Sequence, residues 1–247
     1  MNIGKALSSM IMVGSLAIIS GCISTGNLSS SLDAGMDAAK AASLSDEDVK
    51  TEAQGAIEAY DAKHNVAPSG NKYATRLNRM VAEHKKEDGL DLNFKVYLTS
   101  DINAFAMADG SIRVYSGLMD MMTDDELLFV LGHEIGHVKL GHRKQALQVA
   151  HAASAAKKGA EASGGKSAIL AGSALGDLAE KLINSQFSQD EEREADDYGF
   201  NFLKKNRDNA AGAVSALKKL ADLGGEHGIF SSHPEPKARA ERLEAKL

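Results

Sequence analysis

The sequence predicts an α+β fold, mostly α, with a small three-stranded sheet beside one buried helix. Three observations predict it. Residues 94–115 hold three short apolar runs with strand-like character. Behind them Thr123-Asp124-Asp125-Glu126 has the Ser/Thr-x-x-Glu spacing of a capping box, followed by the nearly unbroken apolar run Leu127 to Leu131. Such a helix must be buried on most sides. Further along, 188–203 carries charges on one helical face and small or apolar residues on the other. The chain has 247 residues, and its length without a leader suits one compact domain.

Taken in order, Met1 to Lys5 is a short basic start and Ala6 to Ile19 an apolar stretch broken by serines and a glycine. That stretch is too short to span a bilayer comfortably and right for a signal-peptide core. Ile19-Ser20-Gly21-Cys22 resembles a bacterial lipobox, which implies lipid attachment at Cys22. Ile23 follows in place of an aspartate, and by analogy with lipoprotein sorting this suggests the outer membrane, with the domain facing the periplasm. Cys22 is the only cysteine, so no disulfide can form inside the domain. The expected organisation is a signal peptide over 1–22, a flexible Ser/Gly/Ala-rich tether over 23–44 and one domain over 45–247.

Ser45-Asp46-Glu47-Asp48 opens a helix expected to run to about His64, where Ala67-Pro68 interrupts, and a second is expected from Lys72 to Lys86. Strands are expected at Phe94 to Leu98, Ala104 to Ala108 and Ile112 to Tyr115, with Asp109-Gly110 as a two-residue hairpin turn. The helix beginning near Asp124 should end at Gly141, where His142-Arg143-Lys144 reads as a cationic end opposing the helix dipole. From about Ala150 to Gly176 the chain is rich in Ala, Gly and Ser, compatible with a lid over a cleft or with a surface loop. Gly164-Gly165-Lys166-Ser167 is not a phosphate loop, because the required earlier glycine falls at Ala160 and no strand precedes it; no nucleotide is expected. A formal charge of −6 without aromatic-basic clusters argues against nucleic acid.

The chemistry lies in His133-Glu134-Ile135-Gly136-His137. Histidines four apart on a helix share a face and can point at one metal ion, while Glu134 projects beside them. Zinc held by two histidines and one further protein ligand keeps a water, and a neighbouring carboxylate can take that water's proton as it attacks a peptide carbonyl. His142 is a tempting third ligand. The three-histidine signature, however, needs Gly where Leu140 stands and His where Arg143 stands. Glu192 and Asp196 share the helical stripe of Ala195, Gly199 and Leu203, so they point inward, whereas Asp190, Glu194, Asp197 and Asn201 face the other way. Buried carboxylates need a cation or donors. One zinc ion for Glu192 and a ligand-histidine N–H for Asp196 would supply them, giving the set His133, His137, Glu192.

HEIGH, Glu192-x-x-Ala195-Asp196, Asn103-Ala104-Phe105-Ala106 ahead of Gly110-x-Ile112-x-Val114, and the terminal His233-Pro234 with Arg239 together resemble the HtpX-like and CAAX-prenyl-endopeptidase family of zinc metallopeptidases. The resemblance implies a zincin-like domain of the gluzincin type with one zinc per chain. Glu192 is then the third ligand, Glu134 the general base and Asp196 a partner of the ligand shell. It also brings His233 and Arg239 near the zinc. His233 would either stabilise the oxyanion or occupy the open position of a resting form, with Arg239 steadying the charge. Beside those roles stands a plain loop-and-cap reading of the same segment. Asn103, Ala104, Phe105 and Ala106 should form the sheet edge beside which an extended substrate pairs.

Two functions fit these features. One is a zinc endopeptidase that hydrolyses envelope proteins, with protein substrates and envelope assembly or protease partners. The other is a non-proteolytic chaperone or assembly factor for outer-membrane proteins. Glu134 discriminates, because a pure binder has no use for that carboxylate.

Overall fold

The structure is a computed structural model that describes residues 44–162, 174–206, 209–224 and 228–247. The expected leader, the tether up to residue 43, Cys22 and the middle of the Ala/Gly-rich segment lie outside the described residues, whereas Leu44, the last residue expected in the tether, is buried in the core. The chain folds as α1 (Asp46–Asp61), α2 (Lys72–Met80), β1 (Lys86–Glu87), β2 (Leu90–Asp91), β3 (Asn93–Tyr97), β4 (Ala104–Ala106) and β5 (Ser111–Tyr115). Then follow α3 (Ser116–Met121), α4 (Asp124–Lys139), α5 (His142–Ala162), α6 (Ala174–Ile183), α7 (Gln189–Lys205), α8 (Ala211–Leu223), α9 (Gly228–Ser232) and α10 (Pro236–Glu244). The mostly helical α+β class matches expectation. None of the described helices is long and apolar enough to cross a membrane.

Local chemistry sets the ends of the long helices. Capping boxes at Ser45 with Asp48, Thr123 with Glu126 and Ser188 with Glu191 start α1, α4 and α7. α4 stops where Gly141 takes φ 83°, a conformation open to glycine, and turns the chain directly into α5. Four sequence expectations need correction. α1 ends at Asp61 and α2 at Met80, both short of their expected limits. The residues beyond α2 form a small antiparallel hairpin, β1 with β2, whose Asp88 and Gly89 both have positive φ, as a two-residue type I′ turn requires. Asp109-Gly110 is not such a turn, because only Gly110 has positive φ. Instead the Gly110 N–H donates to the Met107 carbonyl and the Met107 N–H to the Ser111 carbonyl, giving a three-residue loop with a glycine bulge. Finally, α5 continues to Ala162, so the first part of the Ala/Gly-rich segment is helix and not loop.

The three-stranded sheet has the order β3-β5-β4. β4 pairs antiparallel with β5, whereas β3 runs parallel to β5, register Asn93 to Ser111 through Tyr97 to Tyr115. Alternation divides the side chains between two cores. Val96, Ala104, Ala106, Ile112 and Val114 face the larger core, with Leu127 and Leu131 of α4, Phe200 and Leu203 of α7 and Leu217 of α8. Tyr97, Phe105 and Tyr115 face the smaller one, with Val49, Ala53 and Ile57 of α1, Leu147 of α5 and Leu182 of α6. On this second face Arg113 is buried and makes a paired contact with Asp61, Nε at 2.8 Å and Nη2 at 2.9 Å.

α4 occupies the centre, and every residue from Glu126 to His137 is buried. Its closest helical neighbour is α7, and small residues make that approach possible. Gly132 and Gly136 on α4 meet Gly199 and Ala195 of α7; a Cβ added at Gly199 would lie 2.9 Å from the His133 nitrogen and 3.0 Å from the Phe129 carbonyl oxygen. This seam brings the carboxylates of α7 to the histidines of α4.

Candidate active site

The middle turns of α4 carry His133 and His137 on one face, and their Nε2 atoms lie 3.0 Å apart. Across the seam, Glu192 Oε1 stands 3.4 Å from His137 Nε2, and Oε2 stands 3.6 Å from His133 Nε2. The turn between α9 and α10 folds back over these groups. It sets His233 Nδ1 2.8 Å from Glu192 Oε1 and 3.2 Å from His133 Nε2. All four side chains are buried, and together they form a group able to hold a metal ion. Donors arranged tetrahedrally at about 2.0–2.1 Å from an ion are separated by about 3.3 Å. With Oε1 as the Glu192 donor, the separations of 2.8 to 3.4 Å around His133, His137, Glu192 and His233 fit that figure.

Burial opposes the charge on His233, but the Glu192 and Glu134 carboxylates outweigh it and raise its pKa to about 9, so a metal ion entering the site would displace that proton. Burial pushes the His137 imidazole well below its ordinary pKa, leaving the neutral form that a metal requires. Burial opposes ionisation of Glu192, but His233, His133 and Arg239 outweigh it and hold the carboxyl far below the usual carboxylate range. Behind the donors, Asp196 Oδ1 lies 3.1 Å from His133 Nδ1. Arg239 grips Asp196 with Nη2 at 2.6 Å and Nε at 2.9 Å, and its Nη1 also pairs with Glu192 Oε2. Although burial raises the Asp196 pKa, Arg239 and then His133 bring it down to about 2.

Glu134 projects from α4 toward the sheet. Its Oε2 accepts from the Ala106 N–H and from Arg143 Nη2, both at 2.9 Å, while Oε1 lies 3.3 Å from His233 Nε2. Burial would raise its pKa, but His233 and Arg143 prevail and keep it ionised. β4 is the outer strand of its sheet. The bonds from Tyr115 to the Asn103 carbonyl and from Met107 to Ser111 fix the register, so the backbone groups of Ala104 and Ala106 point away from β5. Asn103 is buried, and the Phe105 side chain turns away into the smaller core. A cavity of about 20 Å³ opens beside Glu134 and His233, walled by Phe129, Val130, Leu217, Leu220 and Ile229.

Two residues read from sequence as a cationic helix end belong to the site. His142 is buried with Nδ1 3.0 Å from His137 Nδ1, and Arg143 is buried against Glu134 with its guanidinium over the Phe187 ring. Phe187 also stacks on His137, ring centres 3.8 Å apart. The available signal was Gly141, whose positive φ folds α5 back over α4 and brings the two residues after it to the donors.

A buried donor set drawn from two helices and a turn, flanked by an ionised carboxylate and an outer strand, is the arrangement of a metallopeptidase, a hydrolase that works with a metal cofactor. The chain belongs to peptidase family M48, whose model matches residues 71–247. It is 42% identical to metalloprotease LoiP of Escherichia coli K12 over 98% of this chain and 97% of that protein. It is 41% identical to metalloprotease YcaL of the same organism over 94% of each. A more distant likeness, 25% identity over 70% of this chain and 38% of the other, links it to the beta-barrel assembly-enhancing protease of E. coli K12.

Proposed function

We propose that this metallopeptidase is a zinc endopeptidase, anchored by lipid at Cys22 to the periplasmic face of the outer membrane, that cleaves envelope proteins in quality control. The observation that carries the catalytic reading is the buried group of His133, His137, Glu192 and His233, close enough to share one ion, with Glu134 beside it. Zinc held there would supply a Lewis acid for the peptide carbonyl and would lower the pKa of a water to about 7. Glu134 takes the proton of the attacking water and returns it to the leaving amine. His133, His137 and Glu192 would hold the ion throughout. His233 would be a further ligand in a resting form and would give way to substrate. Arg239, spanning Asp196 and Glu192, steadies the carboxylates rather than touching substrate. The extended substrate pairs with the outward backbone groups of Ala104 and the outward carbonyl of Ala106, whose N–H is held by Glu134.

The test is removal and return of the metal. Chelation should abolish cleavage of an unfolded protein substrate, zinc should restore it, and Glu192→Ala should not recover; cleavage that survives full chelation would overturn the reading. Cys22→Ser, behind an otherwise cleavable signal, should release the domain from membranes still active. Continued tight association would contradict the lipid anchor.

A further inference from the structure

His133 and His137 are held from behind in different ways. His133 Nδ1 faces the buried Asp196 carboxylate, itself clamped by Arg239. His137 Nδ1 faces a second imidazole, His142 Nδ1, at 3.0 Å, and His142 Nε2 lies 3.1 Å from Glu194 Oε2. His142 is buried, while the Glu194 side chain is 62% exposed, so this chain of groups runs from the donor set to solvent.

We infer that His142 and Glu194 are positioning residues, a relay that fixes the tautomer and ring orientation of His137. The proton placement follows from the acceptors. His137 Nε2 points into the donor set and must offer a lone pair there, so its proton sits on Nδ1. His142 Nδ1 must then accept, which puts the His142 proton on Nε2, where the Glu194 carboxylate accepts it. The arrangement is consistent only in this direction. Phe187, stacked on His137, and His142, edge-on to it at 68°, leave the ring little freedom. Partners of this kind raise ligand basicity and hold the ring where the metal needs it. Glu194 lies on the polar face of α7, opposite the stripe of Glu192 and Asp196, yet its carboxylate reaches back to His142. Neither residue is a metal ligand, so both affect affinity rather than stoichiometry.

The inference rests on the donor set proposed above, and zinc affinity, read by chelator competition on the full domain, tests it without any activity assay. His142→Phe fills the space but offers no acceptor, and should weaken zinc by about 10–100-fold. His142→Asn places an amide oxygen where the accepting nitrogen stood and should recover most of that loss. Glu194→Ala should cost less, and should add nothing in a His142→Phe background, because a relay broken at its middle has no use for its end. Equal losses in His142→Phe and His142→Asn, or unchanged affinity in His142→Phe, would overturn the relay. Should His142→Phe fail to fold, the exposed Glu194→Ala decides alone, and wild-type affinity there would overturn it too. A wild-type domain that binds no zinc would instead sink the donor set itself.

Discussion

Gly199→Ala separates two forces of opposite sign. In an ordinary helix interior the change stabilises by about 1 kcal/mol, through lower backbone entropy in the unfolded chain. At this position the new Cβ would lie 2.9 Å from the His133 nitrogen, 3.0 Å from the Phe129 carbonyl oxygen and 3.1 Å from Phe129 Cε2. Carbon contacts are comfortable at about 3.5–4.0 Å, so α7 must back away from α4 by about half an ångström or more. Overpacking of this kind costs about 1–3 kcal/mol, which leaves a net loss of about 1 kcal/mol. The same displacement draws Glu192 and Asp196 away from the histidines, so zinc affinity should fall along with stability. Urea unfolding of the metal-free domain reads the first effect and chelator competition the second. A raised midpoint, the outcome that helix propensity alone dictates, would refute the claim that this seam sets the geometry of the site.

His233→Ala should keep zinc and raise the cleavage rate of an unfolded substrate, by up to about tenfold if the resting plug leaves a tenth of molecules open. A slower variant with full metal would make His233 an oxyanion donor, and metal loss would make it a structural ligand. Asp61 supplies a pH prediction. Burial opposes its ionisation, but Arg113, Lys95 and Tyr97 bring its pKa down to about 2 from an ordinary 3.8. A depressed carboxylate stabilises the fold fully above its unfolded pKa, so about 1–2 kcal/mol should be present above pH 4 and fade between pH 4 and 2. The stability gap between wild type and Asp61→Asn, measured by urea unfolding, should therefore narrow across that window; a constant gap would contradict it.

The elements legible in the sequence were those with local causes. The capping boxes at Ser45 and Thr123 announced α1 and α4, and the small-residue stripe around Ala195 and Gly199 announced which face of α7 packs inward. What escaped depends on long-range pairing. Nothing in residues 93–97 specifies a parallel partner in 111–115, since β4 comes between them in the chain and the register is set by burial on both faces. Asp109-Gly110 misled because the Asp109 side chain accepts from the Ser111 N–H and Oγ–H and settles the loop in another form. His142 and Arg143 read as a cationic helix end because basic residues after a helix-stopping glycine ordinarily oppose the helix dipole. Only the reversal at Gly141 turns them inward.

The central claim is that Glu134 moves the proton while His133, His137 and Glu192 hold the metal. Glu134→Gln keeps the shape of the side chain and removes its ability to take a proton. Zinc content and cleavage of an unfolded protein measured on the same preparation should give stoichiometric metal with a rate reduced by about 10²-fold or more. Appreciable turnover by that variant would contradict the mechanism.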